Sequence, residues 1–212
     1  RPDLTPNLCK LGDGGVVFSR HHAVFPSETR VNASSVATGC YPGTHGVVGN
    51  RFYIPELGDI NTGDHEDLQT VARHESLLSK PTLAEHLKQA GLSYAIVSSG
   101  SPGSSWVQCA PGTGTMINVR DVVHPTDLAK QLHAKYGTFP PEGFPSTERN
   151  DLVTQIILEE LLPQSFDVIF AWFCDPDFTQ HKAGLGAELS LQSIRENDSR
   201  LGTILEAAQE IN

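Results

Sequence analysis

Positive charge is scarce in this chain: 15 Lys and Arg stand against 25 Asp and Glu, for a formal net charge of −10. No basic run occurs, and no interleaving of aromatic and basic residues, so binding to a nucleic-acid polymer or an anionic lipid surface is excluded as the main activity. Long hydrophobic runs are missing too. No stretch of 18 apolar residues is present and the chain opens on no signal-like segment, so no membrane span and no signal peptide are read from these residues. Cysteine is sparse: Cys9, Cys40, Cys109 and Cys174 are widely separated, with no CxxC pair. That spacing shows no evident pairing and favours mostly buried thiols over a disulfide framework. Glycine-rich loops are present without the partners that would make them nucleotide cradles. No Gly-Lys-Ser/Thr follows them, and Gly112-Thr113-Gly114 is too short for a dinucleotide fingerprint.

What is present suits one hydrophobic core. With 212 residues, 38% of them hydrophobic, the chain reads as a single domain. Extended segments are expected at residues 16–18 and 23–25. Helices are expected at 31–38, with Gly39 as the stop, and from Thr82 as N-cap to Gly91, followed by a short strand at 94–97. Further helical spacing covers 125–136, 147–162 and 189–211. Residues 167–173 (DVIFAWF) form a continuous apolar run of the kind a strand buried on both faces shows. Residues 49–75 and 98–114 read as loops, and 139–145, with its three prolines, as a surface connection. Helices alternating with short apolar strands make a layered α/β sheet.

Two places gather residues able to do chemistry. After 167–173 comes Cys-Asp-Pro-Asp-Phe-Thr-Gln-His, which puts Asp175, Asp177 and His181 at the carboxyl end of a strand, where ligands sit in open α/β sheets. Asp177 and His181, four apart, suit one carboxylate and one imidazole ligand of a divalent metal, although a capped turn gives the same pattern. The second place is residues 25–46, FPSETRVNASSVATGCYPGTHG. Thr29 stands where an apolar segment gives way to a helix, so its hydroxyl is either an N-cap or a nucleophile set at the positive end of the helix. Asn32 is placed to donate its amide to a phosphoryl oxygen or to sit in the first turn. Asn32-Ala33-Ser34 and Asn197-Asp198-Ser199 are also glycosylation sequons.

Taken together, these pieces resemble the type I phosphodiesterase / nucleotide pyrophosphatase family of the alkaline phosphatase superfamily. Arg1-Pro2-Asp3-Leu4 with Thr5-Pro6-Asn7-Leu8 resembles its opening strand-to-helix segment, and Phe25 to Asn32 its nucleophile turn. Thr38-Gly39-Cys40-Tyr41-Pro42-Gly43-Thr44-His45-Gly46 with Gly49-Asn50 resembles the segment that follows, and Pro176-Asp177 with His181 and Gly184 its metal motif. The resemblance implies an α/β/α sandwich of the alkaline phosphatase type, of which this chain is a portion forming one catalytic domain. It further implies two zinc ions, Thr29 as nucleophile and ligand of one metal, Asn32 as phosphoryl-oxygen donor, and Asp177 and His181 as ligands of the other metal. The implied activity is hydrolysis of a phosphodiester or nucleotide pyrophosphate through a phosphothreonine, with a small-molecule nucleotide or diester as partner; relatives work both outside the cytoplasm and within it, so the compartment stays open, with an extracytoplasmic one favoured by the family. The family's upstream Asp, and its downstream Asp-His pair and further His, lie outside these residues.

Rival readings differ in chemistry. A sulfatase needs Cys-x-Pro-x-Arg, but Cys40-Tyr41-Pro42-Gly43-Thr44 has Thr in place of Arg. Sulfatases also place the modified cysteine nine residues before the Thr of a Thr-Gly-x-Tyr-Pro segment, and that position before Thr38 is Thr29. Threonine cannot become formylglycine. Phosphonate and phosphomonoester hydrolysis stay open within the same chemistry, although no clear arginine clamp for a dianion is visible. Phe52 and Tyr53 are candidates for stacking on a nucleobase. A metal-free, non-catalytic domain is the alternative from another class.

Overall fold

The computed structural model describes residues 1–74 and 76–211. Its centre is a four-stranded sheet of β3 (Tyr94–Ser98), β4 (Thr115–Asn118), β5 (Val122–His124) and β6 (Val168–Trp172), in the order β5-β4-β3-β6. β3 runs parallel to both β4 and β6, and β5 returns antiparallel to β4. A separate hairpin, β1 (Arg51–Ile54) and β2 (Gly58–Asn61), turns at Gly58, whose φ of 85° suits glycine.

Side chains alternate across the central sheet and feed two cores. Ala95, Val97 and Ile117 pack on one face with Leu132, Val153 and Ile156, which come from α7 (Thr126–Tyr136) and α8 (Thr147–Ile156). Tyr94, Ile96 and Met116 pack on the other with α2 (Thr29–Thr38), α4 (His65–His74), α5 (Leu83–Gln89) and α6 (Pro102–Gln108). Helices on both faces of a largely parallel sheet make the expected α/β/α sandwich. In the second core, burial pushes the Cys109 thiol up to about 11. Cys174 is also buried, Cys9 and Cys40 are half-buried, and all four thiols are free.

The remaining helices are α1 (Pro6–Gly14), α3 (Pro42–His45), α9 (Asp177–Ala183) and α10 (Glu188–Ile211). α1 lies against α10, where Asp198 accepts the first free N–H groups of α1, from Asn7 at 3.0 Å and Leu8 at 2.8 Å. Gly202 permits this approach, since a Cβ there would meet the Asn7 side chain at 2.7 Å. α5 begins with the expected Thr82 cap, in a reciprocal capping box with Glu85. Among the described residues no helix is long and apolar enough to cross a membrane.

Several sequence expectations need correction. Residues 16–18 and 23–25 join no strand; with no neighbouring strand to pair with, Val16, Val17, Phe18 and Phe25 stay in solvent, Phe25 at 91% exposure, and Val24 is half-buried. The strand at 167–173 is not buried on both faces. Among the described residues β6 occupies the edge of the sheet, with β3 alone beside it, and Ala171 is exposed. The expected loop at 49–75 contains the β1–β2 hairpin and α4, whose few apolar residues, Leu68 and Val71, are fully committed to the core; Glu75 itself lies outside the described residues. The expected loop at 98–114 contains α6, buried along its length because small residues let it approach the 62–63 turn. The helix at 147–162 is α8 continued by a π-helical turn at Ile157–Leu161.

A cleft at the start of α2

Glu28 has extended φ and ψ and forms the N-cap of α2 without a side-chain cap, so Thr29 is the first helical residue rather than the cap. Its hydroxyl makes no hydrogen bond among the described residues. Thr29 opens instead into a cleft of about 540 Å³, together with Arg30, Asn32, Arg120, Trp172 and Asp177. Among the described residues no strand precedes Thr29. The segment before it is irregular and is tied down by Asn32.

That tie occupies the whole Asn32 amide. Oδ1 accepts from the Val24 N–H at 2.9 Å, and Nδ2 donates to Glu28 O at 2.9 Å and to Pro26 O at 3.4 Å. Both amide protons are thereby spent on the turn that delivers Thr29. In the second sequon, Asn197 Nδ2 donates to Asp175 O at 2.5 Å.

A different amide stands at the helix start. Asn50 Oδ1 accepts from the Arg30 N–H at 3.2 Å, and the Asn50 N–H donates to the Glu28 carboxylate. With Oδ1 committed, the Asn50 NH₂ has no protein partner among the described residues. The chain reaches this point through α3 and Gly46, whose φ of 92° suits glycine. Fully buried His45 locks that path: Nε2 is 2.9 Å from Ser35 Oγ on α2, while Nδ1 accepts from the Val47 N–H at 3.2 Å. The acceptor at Nδ1 assigns the proton to Nε2. Burial holds the His45 imidazole below its ordinary pKa, so it is the neutral form that fits.

The other wall of the cleft follows β6. Asp175 and Asp177 point to opposite environments. Asp175 is buried, with Oδ2 accepting from the Ser146 N–H at 2.9 Å and Asn150 Nδ2 at 3.2 Å, while Oδ1 accepts no well-formed hydrogen bond among the described residues. Burial raises its pKa. Asp177 opens α9 and is exposed, with Oδ1 3.5 Å from His181 Nε2. Two vertices of a zinc tetrahedron with bonds of about 2.0–2.1 Å lie about 3.4 Å apart, so these two atoms fit adjacent positions on one ion. Among the described residues no group of three metal-ligating side chains occurs, so the pair is a partial set. His181 does not line the cleft itself.

The aromatic residues of the cleft are Trp172 and Phe178, with Phe178 meeting Phe144 edge-on at 5.7 Å and Lys182 lying over both rings. Phe52 and Tyr53 are elsewhere, on β1, with Tyr53 largely exposed. Sequence reasoning missed Arg120, which sits between two strands with no motif around it. It quoted Asn50 without a role, and only the return of the chain to α2 gives it one.

The sequence pattern of the type I phosphodiesterase / nucleotide pyrophosphatase family matches residues 1–212. The chain belongs to that family. Venom phosphodiesterase 2 of Crotalus adamanteus is 26% identical over 99% of this chain and 22% of its own length. Phosphonoacetate hydrolase from Sinorhizobium meliloti 1021, solved with phosphonoacetate, shares the fold at a TM-score of 0.69 and 22% identity, over 97% of this chain and 48% of its own. Murine ectonucleotide pyrophosphatase / phosphodiesterase 5, solved as an inactive threonine-to-alanine variant with AMP, does so at 0.60 and 20% identity, over 98% of this chain and 48% of its own. The chain thus spans about a fifth of the length of the venom relative and about half that of the solved neighbours. Both neighbours share the α/β/α layering of this family member.

Proposed function

We propose that this protein hydrolyses a phosphodiester or nucleotide pyrophosphate bond with Thr29 as nucleophile. One observation carries the reading: an unengaged threonine hydroxyl at the first position of a ten-residue helix opens into the same cleft as Asp177. Thr29 Oγ forms a bond to phosphorus in line with the departing oxygen, and water then cleaves the resulting phosphothreonine. The Thr29 N–H and the positive end of α2 stabilise the charge that develops on the phosphoryl oxygens. Asn50 takes the donor role that the sequence suggested for Asn32, because its NH₂ is unspent while both Asn32 amide protons are bonded. Arg30, half-buried beside Thr62, adds positive charge to the same wall.

Asp177 and His181 would hold one zinc ion, and Thr29 is the candidate ligand of a second. Bound zinc supplies Lewis-acid polarisation of the phosphoryl group and lowers the pKa of a coordinated hydroxyl or water. Support comes from the 3.5 Å Asp177–His181 pair and from the neighbour inactivated by loss of a threonine. An extracytoplasmic location fits relatives named as venom and ecto-enzymes. The test uses the full-length protein: Thr29→Ala abolishes turnover of bis(4-nitrophenyl) phosphate while zinc content stays near wild type. Near-normal turnover in that variant would remove Thr29 from the reaction.

A further inference from the structure

The cleft carries a cation with no assigned task. Arg120 follows β4, where buried Asn118 fixes it: Asn118 Oδ1 accepts the Arg120 N–H at 3.0 Å, and Asn118 Nδ2 donates to Gly100 O at 3.1 Å. The Arg120 Nε donates to Ser99 O at 3.3 Å, beside the Gly100 and Ser101 that line the cleft. Its guanidinium therefore lies along the cleft wall with its stem anchored.

The outer end of the guanidinium is poorly satisfied. Its one ion-pair partner among the described residues is Glu142, at 3.9 Å and more than half exposed, a pair that solvent screens. The terminal nitrogens make no hydrogen bond among the described residues. A second guanidinium adds to the field: Arg149 is buried, with Nε bound to Pro140 O at 3.0 Å and one terminal nitrogen without a partner among the described residues. Burial, and next the charge of Arg120, disfavour the cationic form of Arg149. Among the described residues the one carboxylate in an ion pair with either guanidinium is the exposed Glu142, at 3.9 Å from Arg120, so an anion adds relief that this screened pair does not, and the planar fork matches phosphate or carboxylate oxygens.

We propose that Arg120 is a specificity-determining residue that binds a second anionic group of the substrate, a phosphate or a carboxylate, while the scissile phosphoryl group lies at Thr29. The inference rests on the hydrolytic reading of the cleft and adds a substrate class to it. Substrates with two anionic centres, such as pyrophosphates and phosphonocarboxylates, are preferred over diesters that carry one. The free guanidinium edge and the volume of about 540 Å³ give room for such a small dianionic unit.

The test is calorimetric binding of inorganic phosphate, pyrophosphate and phosphonoacetate to zinc-loaded, full-length protein, wild type against Arg120→Gln and Arg120→Lys. In Arg120→Gln the affinity for pyrophosphate relative to phosphate falls about ten- to a hundredfold, the range of one lost charge-assisted hydrogen bond. Arg120→Lys retains part of it. Phosphonoacetate falling in parallel assigns a general anion site; pyrophosphate alone falling assigns a phosphate site. An unchanged ratio, or equal loss for all three ligands, overturns the proposal. Turnover of bis(4-nitrophenyl) phosphate by the wild type is measured alongside, so absence of hydrolysis counts against the proposed function while the binding ratio still judges Arg120.

Discussion

Replacing Asn32 and Asn50 in turn by alanine separates a structural amide from one that meets the substrate. Asn32→Ala removes three hydrogen bonds, two at 2.9 Å and a weaker one at 3.4 Å, and leaves the Val24 N–H without its acceptor. At about 0.5–1.5 kcal/mol net per bond, with the long one counting least, the loss comes to about 2 kcal/mol. For a chain of this length that lowers the melting temperature by about 4–8 °C. Asn50→Ala removes only the acceptor for the Arg30 N–H, about 1 kcal/mol of stability. Loss of an amide that stabilises developing charge instead slows turnover about 10²- to 10³-fold. The assay pairs urea denaturation with kcat on a nucleotide diester, measured where each variant remains folded. Asn32→Ala with unchanged stability and the larger loss of kcat would refute the assignment and return the donor role to Asn32.

Two further predictions probe the scaffold. Gly103→Ala places a Cβ 1.8 Å from Thr62 O, a backbone atom with nowhere to go, and lowers stability by more than about 3 kcal/mol in urea denaturation; a loss below about 1 kcal/mol contradicts the close packing of α6 on the 62–63 turn. His45 is neutral in the fold with its pKa below the ordinary 6.5, so the unfolded chain binds the extra proton first and stability falls as pH drops below about 6.5, while remaining level above it. His45→Gln weakens that slope, which denaturation midpoints measured from pH 8 to 5 would reveal.

Elements with strong local signals were legible in the sequence. The Thr82 N-cap, the Gly39 stop after α2 and the apolar period of α10 are each set by neighbours along the chain. α6 was not legible, because its burial depends on small residues that read as loop until the facing turn is known. Nor was the edge position of β6, since an apolar run does not say how many strands flank it. At the cleft, Thr29 and Asp177 were both singled out in the sequence, and the fold brings them to one cavity. The preference for Asn50 over Asn32 came from which amide protons are already bonded, a fact that no spacing encodes.

The most direct measurement is capture of the covalent intermediate. Full-length, zinc-loaded protein mixed with a nucleotide diester, quenched in acid within milliseconds and digested for mass spectrometry should yield a nucleotidyl adduct on Thr29. Turnover that proceeds with Thr29 unmodified, or an adduct on another residue, would contradict the account.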